Sequence, residues 1–266
     1  MMEYRPSIEE VLEYAGAGDY DILPVSCEIL SDFTTPIETM RILQNASAHC
    51  YMLESAQANE RWGRYPFMGY EPSLSISCID GELTCDDKTI HTNDPSGFLR
   101  ELLAERKSPR LQYLPAFTGG LVGYFSYDYL GYSEPTVRCD VEDRDSFKDM
   151  DVMLFERVIA FDNVTQKIVL IANMRLNDPE ANYKKAIAEL DEMRALLKTG
   201  EKKQDISGRL LDDFVPLFDR DAYCDMVEKA KQHIYEGDIF QIVLSNRLAA
   251  PFEGSLFDTY RRLRTD

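Results

Sequence analysis

Two polar side chains at the end of a short apolar run are the clearest candidates for binding chemistry. Glu54 and Ser55 directly follow Tyr51, Met52 and Leu53, so a carboxylate and a hydroxyl stand where a predicted strand meets a loop. Such positions commonly present binding groups, because the rigid strand fixes the side chains beside it. The end of this strand is therefore a candidate site.

A second strand, Arg64 to Tyr70, is predicted after a polar gap and the only tryptophan of the chain, Trp62. It mixes aromatic and small residues as a half-buried strand does. The residues alone also allow a plain β-hairpin, in which Arg61 or Arg64 stacks on an aromatic ring or pairs with Glu54. Both the structural and the binding interpretation stay open at this point.

Another candidate site is a predicted strand over Asp238 to Arg247, after a helix that ends at Gly237. Its alternation separates an apolar face from a face that carries an amide, a hydroxyl and a guanidinium. The apolar face comprises Phe240, Ile242 and Leu244, and the other comprises Gln241, Val243, Ser245 and Arg247. A polar row of this kind is either a solvent-exposed face or the wall of a ligand cavity, and the pattern leaves both open.

The stretch from Phe117 to Tyr132 is rich in glycine and tyrosine. Its glycines do not form a dinucleotide-binding pattern, and no Lys-Ser or Lys-Thr follows to suggest a phosphate loop. Gly119, Gly120 and Gly123 are expected to allow a close backbone approach or a bulge within a strand. Their predicted role is structural.

The elements that position these residues read as a mixed fold. Capped helices are predicted after Ser7, Thr35, Asp94 and Asp178, and the last one ends at Gly200. The helix after Asp94 is expected to turn Phe98, Leu99, Leu102 and Leu103 inward. Hairpins are predicted around Asp80-Gly81 and around Asp162, where the strands Val152 to Phe161 and Lys167 to Ala172 flank the turn. Because hairpins outnumber strand-helix-strand units, we predict an α+β fold of mainly antiparallel sheets with helices packed outside.

Composition places the domain boundary and the class of protein. A polar stretch without periodicity divides a domain over 1–200 from a unit over 214–266, with a linker over 201–213. The net charge of −18 argues against nucleic-acid or anionic-membrane binding. The six cysteines lack metal or redox spacing and are expected to be reduced thiols. With no membrane span and a charged amino terminus, the chain is expected to be cytoplasmic.

The order Tyr-Met-Leu-Glu-Ser, then Arg-Trp-Gly-Arg-Tyr-Pro-Phe-Met-Gly, resembles component I of anthranilate synthase, a chorismate-utilising enzyme family. The resemblance implies an amino-terminal regulatory domain whose feedback site for L-tryptophan includes Leu53, Glu54 and Ser55. An amino acid needs acceptors for its ammonium, donors for its carboxylate and an apolar slot for its indole ring. The end of this strand supplies the first and the third.

Two further motifs extend the resemblance over nearly the whole chain. The Gly-Gly-x-x-Gly-Tyr-x-x-Tyr-Asp pattern is shared with component I of aminodeoxychorismate synthase, so that enzyme of the folate pathway stays an alternative. The segment around Gln241 resembles the start of the chorismate-binding catalytic domain. Relatives that add water to chorismate usually carry a lysine base at this position, and glutamine fits the enzymes that use ammonia. A stand-alone tryptophan-binding module is a third alternative.

The resemblance also implies partners and a cofactor for the full-length protein. That protein would convert chorismate and ammonia to anthranilate and pyruvate, with ammonia from a glutamine amidotransferase subunit, component II, in a hetero-oligomer. Mg²⁺ is implied as cofactor of the full-length protein, with its ligands expected outside residues 1–266. We expect residues 1–266 to hold an incomplete catalytic domain and to be inactive alone.

Overall fold

The computed structural model describes residues 3–55, 63–134, 136–137 and 146–265. These residues form two compact units that divide after Lys203. The helices of the first unit are α1 Ile8–Ala17, α2 Pro36–Ala46, α3 Pro95–Ala104, α4 Leu130–Ser133 and α5 Pro179–Thr199. Its strands are β1 Tyr4–Arg5, β2 Ile22–Leu30, β3 Cys50–Leu53, β4 Phe67–Tyr70, β5 Leu74–Ile79, β6 Glu82–Cys85, β7 Lys88–His91, β8 Gly120–Phe125, β9 Met150–Phe155, β10 Arg157–Asp162 and β11 Lys167–Arg175.

A six-stranded antiparallel sheet carries the candidate strand end. Its order is β1-β2-β11-β10-β4-β3, so β3 is an edge strand. The long central pair, β2 and β11, is almost continuously apolar because both of its faces are buried. On one face, Leu190 and Met193 of α5 belong to the same fully buried cluster as Leu170 and Ile159. The sheet is thus held by the helix that follows it.

A five-stranded antiparallel sheet in the order β7-β6-β5-β9-β8 forms the second layer of this unit. Its core contains Ile76, Leu83 and Met150, and Leu99 of α3 packs there. The predicted hairpin at Asp80-Gly81 joins β5 to β6 and is confirmed. Leu103 of α3 was expected to face inward and is 44% exposed, so that expectation is wrong.

The chain passes from one sheet to the other at Glu156. The predicted continuous strand over Val152 to Phe161 is therefore wrong, because β9 pairs within the five-stranded sheet and β10 within the six-stranded sheet. The carbonyl of Glu156 accepts from the backbone N–H of Asn173 at 2.9 Å and from its side-chain amide at 3.0 Å. These bonds hold the crossing point, which an apolar run of strand-forming residues does not reveal.

The predicted helix starts are confirmed. Ser7 and Glu10 form the expected capping box, and the side chains of Thr35, Asp94 and Asp178 accept from the first turn of their helices. Each cap satisfies a backbone N–H that has no partner inside its helix. The described cysteines 27, 50, 78, 85 and 224 are free thiols, as expected, and Cys139 lies outside the described residues.

The second unit contains two short strand pairs and two helices. The elements are β12 Arg209–Leu210, β13 Val215–Pro216, α6 Arg220–Glu236, β14 Leu248–Ala249, β15 Phe252–Glu253 and α7 Phe257–Leu263. Strand β12 pairs with β15, and β13 pairs with β14. Helix α6 ends at Gly237, whose φ of 87° gives the left-handed cap that its sequence predicts.

The strand predicted over Asp238 to Arg247 is wrong. The segment has no regular structure, and its intended apolar face is open, with Phe240 94% exposed and Ile242 47% exposed. A strand needs regular hydrogen bonding to a neighbouring strand. Among the described residues of this unit no strand pairs with the segment, although its last carbonyl, that of Arg247, accepts from the N–H of Leu217 at 2.8 Å. The predicted fold class, mainly antiparallel sheets with helices packed outside, is confirmed for the chain. Within the described residues, none of the helices is long and apolar enough to cross a membrane.

Candidate functional site

Strands β3 and β4 form the predicted pair that presents Leu53, Glu54 and Ser55. Tyr51 pairs with Gly69 and Leu53 with Phe67. A Cβ at Gly69 would lie 2.3 Å from Cε1 of Tyr51, so only glycine lets this ring cross β4. The ring of Tyr51 also makes an edge contact with Phe155, at 4.7 Å between centroids. The strand is therefore fixed by a buried aromatic residue before its polar end.

The three candidate residues lie together beyond that anchor. Leu53 is 47% exposed, Glu54 is half-buried and Ser55 is exposed, while Met52 is half-buried against the core. The arrangement offers a carboxylate, a hydroxyl and apolar surface on one edge of the sheet. This is the chemistry that an amphipathic ligand with an ammonium group would require.

Arg64 pairs with Asp162 and not with Glu54. Its Nε donates to Oδ1 of Asp162 at 3.0 Å, and its Nη2 donates to Oδ2 at 2.6 Å. The proposed pairing of Arg64 with Glu54 is therefore wrong, whereas its stacking on an aromatic ring is confirmed by Tyr65, 4.8 Å from the guanidinium. Arg61 and Trp62, the other residues named for this loop, lie outside the described residues.

Asp162 is a buried carboxylate that the sequence indicates only as part of a turn. Its side chain is 6% exposed, and it also accepts from the backbone N–H groups of Val164 at 3.0 Å and Thr165 at 3.3 Å. The hydrogen bond from Arg64 is the main reason that the pKa of this carboxyl lies well below its usual value. An aspartate before a turn signals the two backbone bonds, but nothing local signals a partner 98 positions away.

A cavity of about 520 Å³ lies at the opposite end of β3. It is lined by the end of α2, the start of β3 and the facing strands β8 and β9, including Gln44, Tyr51 and Phe155. Among the described residues, the Tyr51 hydroxyl and Oε1 of Gln44 are buried without a hydrogen-bond partner. No local sequence pattern reveals this cavity, because it forms between strands of two different sheets. It does not include Glu54 or Ser55.

The glycine-rich stretch has the structural role that its sequence indicates. A Cβ at Gly123 would lie 2.0 Å from the carbonyl oxygen of Asp151, so β8 approaches β9 more closely than any side chain would allow. The stretch then turns into a 3₁₀ helix over Tyr127–Tyr129 and into α4. The hydroxyl of Tyr132 donates to Asp149 at 2.7 Å and anchors this turn to the sheet.

Gln241 lies in the irregular segment of the second unit, with an exposed side chain. Gln241 belongs to the second unit, whereas the other predicted site residues belong to the first unit. The polar face predicted around it does not form, because the strand itself is absent.

The described residues do not fit a Mg²⁺ site. The one group of possible ligands found among them is His233, Glu236 and Asp238, at the end of α6. Nδ1 of His233 lies 2.8 Å from Asp238, and an imidazole suits zinc and other transition metals better than magnesium. Mg²⁺ prefers carboxylates, water and substrate oxygens.

This fold and these motifs define a class of protein. Residues 48–266 match the family described as chorismate binding enzyme, and the chain belongs to that family. It is 33% identical over 265 residues to anthranilate synthase component 1 of Acinetobacter calcoaceticus, covering 96% of this chain and 52% of that protein. It is 34% identical to the protein of the same name from Pseudomonas aeruginosa, covering 96% of this chain and 54% of that protein.

A solved structure gives the same result. The crystal structure of anthranilate synthase component I from Streptococcus pneumoniae matches with a TM-score of 0.61 and 31% identity, over 89% of this chain and 52% of that one. The resemblance drawn from the sequence motifs is thus confirmed. The chain spans about half the length of the curated relatives it matches.

Proposed function

We propose that this chain is the amino-terminal part of an anthranilate synthase component I. The complete protein would convert chorismate and ammonia to anthranilate and pyruvate, with ammonia supplied by a glutamine amidotransferase partner. The observation that carries this proposal is a sequence identity of 29–34% over 94–99% of the chain to eight relatives named anthranilate synthase component 1, one of them as probable. Both units take part in that similarity, so it does not rest on the Glu54-Ser55 motif alone.

Gln241 is proposed to contact the reacting substrate in the complete protein. An amide does not take up a proton near neutral pH, so it cannot activate water as a lysine base can. Ammonia is itself a nucleophile and needs no such base. Gln241→Lys should therefore lower anthranilate formation and permit some addition of water. Unchanged anthranilate formation in this variant would remove Gln241 from the mechanism.

The end of β3 is proposed to bind L-tryptophan as a feedback inhibitor. Glu54 would accept from the ammonium group, Ser55 would hydrogen-bond a charged group of the ligand, and Leu53 would contact the indole ring. The exposure of Ser55 and Leu53 supports this role, because a ligand can reach both. In such a site the effect of the inhibitor on turnover is a coupling free energy between two separate sites.

Product analysis tests the proposed activity. The complete gene product, supplied with chorismate, Mg²⁺ and ammonium, should release pyruvate and fluorescent anthranilate in equal amounts. Residues 1–266 alone should release neither. Accumulation of aminodeoxychorismate without pyruvate would contradict the proposal and favour the aminodeoxychorismate synthase alternative, which shares the glycine and tyrosine motif.

A further inference from the structure

The candidate site and the buried carboxylate of Asp162 lie at the same end of neighbouring strands in the six-stranded sheet. Leu53 of β3 pairs with Phe67 of β4, and Phe67 pairs with Ala160 of β10. Since both outer strands are antiparallel to β4, they run in the same direction, about 10 Å apart at ~4.8 Å per strand. Ser55 and Asp162 each follow the paired residue of their strand by two positions. The register therefore places Ser55 and Asp162 at the same end of these strands.

The segment between them is held by the turn that contains Asp162. The N–H of Phe161 donates to the carbonyl of Pro66 at 3.0 Å, and the N–H of Asn163 donates to the carbonyl of Arg64 at 3.0 Å. The side-chain amide of Asn163 adds a bond to the carbonyl of Gly63 at 3.3 Å. These bonds continue the β4–β10 pairing past its regular end. They fix the four residues that precede Phe67, the partner of Leu53.

The ion pair completes this attachment with directional bonds. A carboxylate that accepts from two nitrogens of one guanidinium fixes the plane of that group as well as its distance. The guanidinium of Arg64 also stacks on the ring of Tyr65. Asp162 itself is held by the backbone of its turn, so the guanidinium is attached to a rigid part of the sheet. The fixed guanidinium restrains the backbone of Arg64, which leads directly into β4.

We infer that Asp162, acting through Arg64, is a positioning residue for the strand end that carries Glu54 and Ser55. Asp162 does not bind the effector; it fixes the start of β4, and β4 fixes the end of β3 by direct pairing. This inference rests on the proposed tryptophan site for its regulatory consequence. Its structural part stands on the pairing and the hydrogen bonds alone. A ligand that needs two polar groups at fixed positions would bind less tightly if that strand end were loosened.

The variant Asp162→Asn in the complete gene product tests the inference. Asparagine has nearly the same volume, but its amide faces the guanidinium with a donor where the carboxylate had an acceptor. Amide exchange at Leu53 to Ser55 should become about tenfold faster. Half-inhibition by tryptophan should need roughly five- to tenfold more ligand. KM and kcat for chorismate without tryptophan should stay unchanged.

Glu189→Gln is the matched control, because it removes a carboxylate that lies 3.5 Å from Arg157 at the other end of β10. It should leave both exchange at Leu53 to Ser55 and the inhibition curve unchanged. Arg64→Lys keeps the charge but loses the two-bond geometry, and its inhibition curve should fall between those of the wild type and Asp162→Asn.

Each outcome decides a different statement. Equal exchange at residues 53–55 in Asp162→Asn and in the control would overturn the inference, whatever tryptophan does. Faster exchange with an unshifted inhibition curve, in a protein whose wild type is inhibited, would overturn it as well. If the wild type does not respond to tryptophan, the proposed feedback function fails, and faster exchange in Asp162→Asn would still support the positioning role.

Discussion

The two units of this chain differ in how much apolar surface they bury. The first unit contains a cluster of 19 buried side chains between its six-stranded sheet and the helices α1, α2 and α5. Among the described residues of the second unit, only Ala230 and Phe257 are buried. Both units nevertheless form their predicted helices. A helix makes its backbone hydrogen bonds within its own segment, whereas a strand needs a partner strand from elsewhere in the chain.

The largest effect that separates the units should come from truncating a core side chain. Leu190→Ala should lower the free energy of unfolding of the first unit by about 2–5 kcal/mol, because Leu190 is fully buried on the sheet. Phe240→Ala should change the stability by less than about 0.5 kcal/mol, because this larger side chain is 94% exposed. Urea unfolding curves of both variants provide the measurement. Similar losses in the two would contradict the distinction between the units.

A smaller effect is expected where the first unit depends on a missing side chain. Gly123→Ala should cost about 1–3 kcal/mol, since its Cβ would collide with the backbone of β9. Gly16→Ala is the control, because it lies inside α1 with nothing within 4 Å of the added Cβ, and it should stabilise the chain by about 0.5 kcal/mol. Opposite shifts in melting temperature are expected, and a tolerated Gly123→Ala would show that β8 does not require its close approach to β9.

These positions show how much of the fold and site the sequence predicts. The caps at Ser7 and Thr35 and the turn at Asp80-Gly81 are set by contacts over a few residues, and each was predicted correctly. The strand break at Glu156 was not predicted, because strand-forming apolar residues lie on both sides of it and only the sheet to which they belong differs.

The candidate site follows the same rule. The strand end with Glu54 and Ser55 was predicted because its residues are consecutive. The partner of Arg64 was not predicted, because Asp162 is brought beside it by the pairing of β4 with β10, which no local pattern encodes. The strand around Gln241 was predicted from a correct alternation that has no partner in the described part of the chain.

The effect of pH should reveal the buried carboxylate of the first unit. The pKa of Asp162 is lowered chiefly by its hydrogen bond from Arg64, so this group stabilises the fold above the ordinary pKa of aspartate. That contribution is lost as the pH falls through the native pKa. Asp162→Asn should therefore be less stable than the wild type at pH 7, and the difference should shrink towards pH 2.

A matched carboxylate in the second unit serves as control for this effect. Glu253 forms an exposed pair with Arg209 at 2.8 Å and is 59% exposed, so solvent screens it. Glu253→Gln should lower the melting temperature at pH 7 much less than Asp162→Asn does. If Asp162→Asn and the wild type kept a constant difference in stability from pH 7 to pH 2, the charge of Asp162 would not be its source of stabilisation.

The inhibition curve of Ser55→Ala in the complete gene product is the sharpest test of the proposed tryptophan site at the end of β3. A hydrogen bond to a charged group is worth about 1.5–3 kcal/mol, so half-inhibition of anthranilate formation should need roughly ten- to a hundredfold more tryptophan. Turnover without tryptophan and the melting temperature should hardly change, because Ser55 is exposed and the proposed regulatory site is distinct from the proposed substrate site. A lower melting temperature with an unshifted inhibition curve would contradict the account and reduce Ser55 to a structural residue.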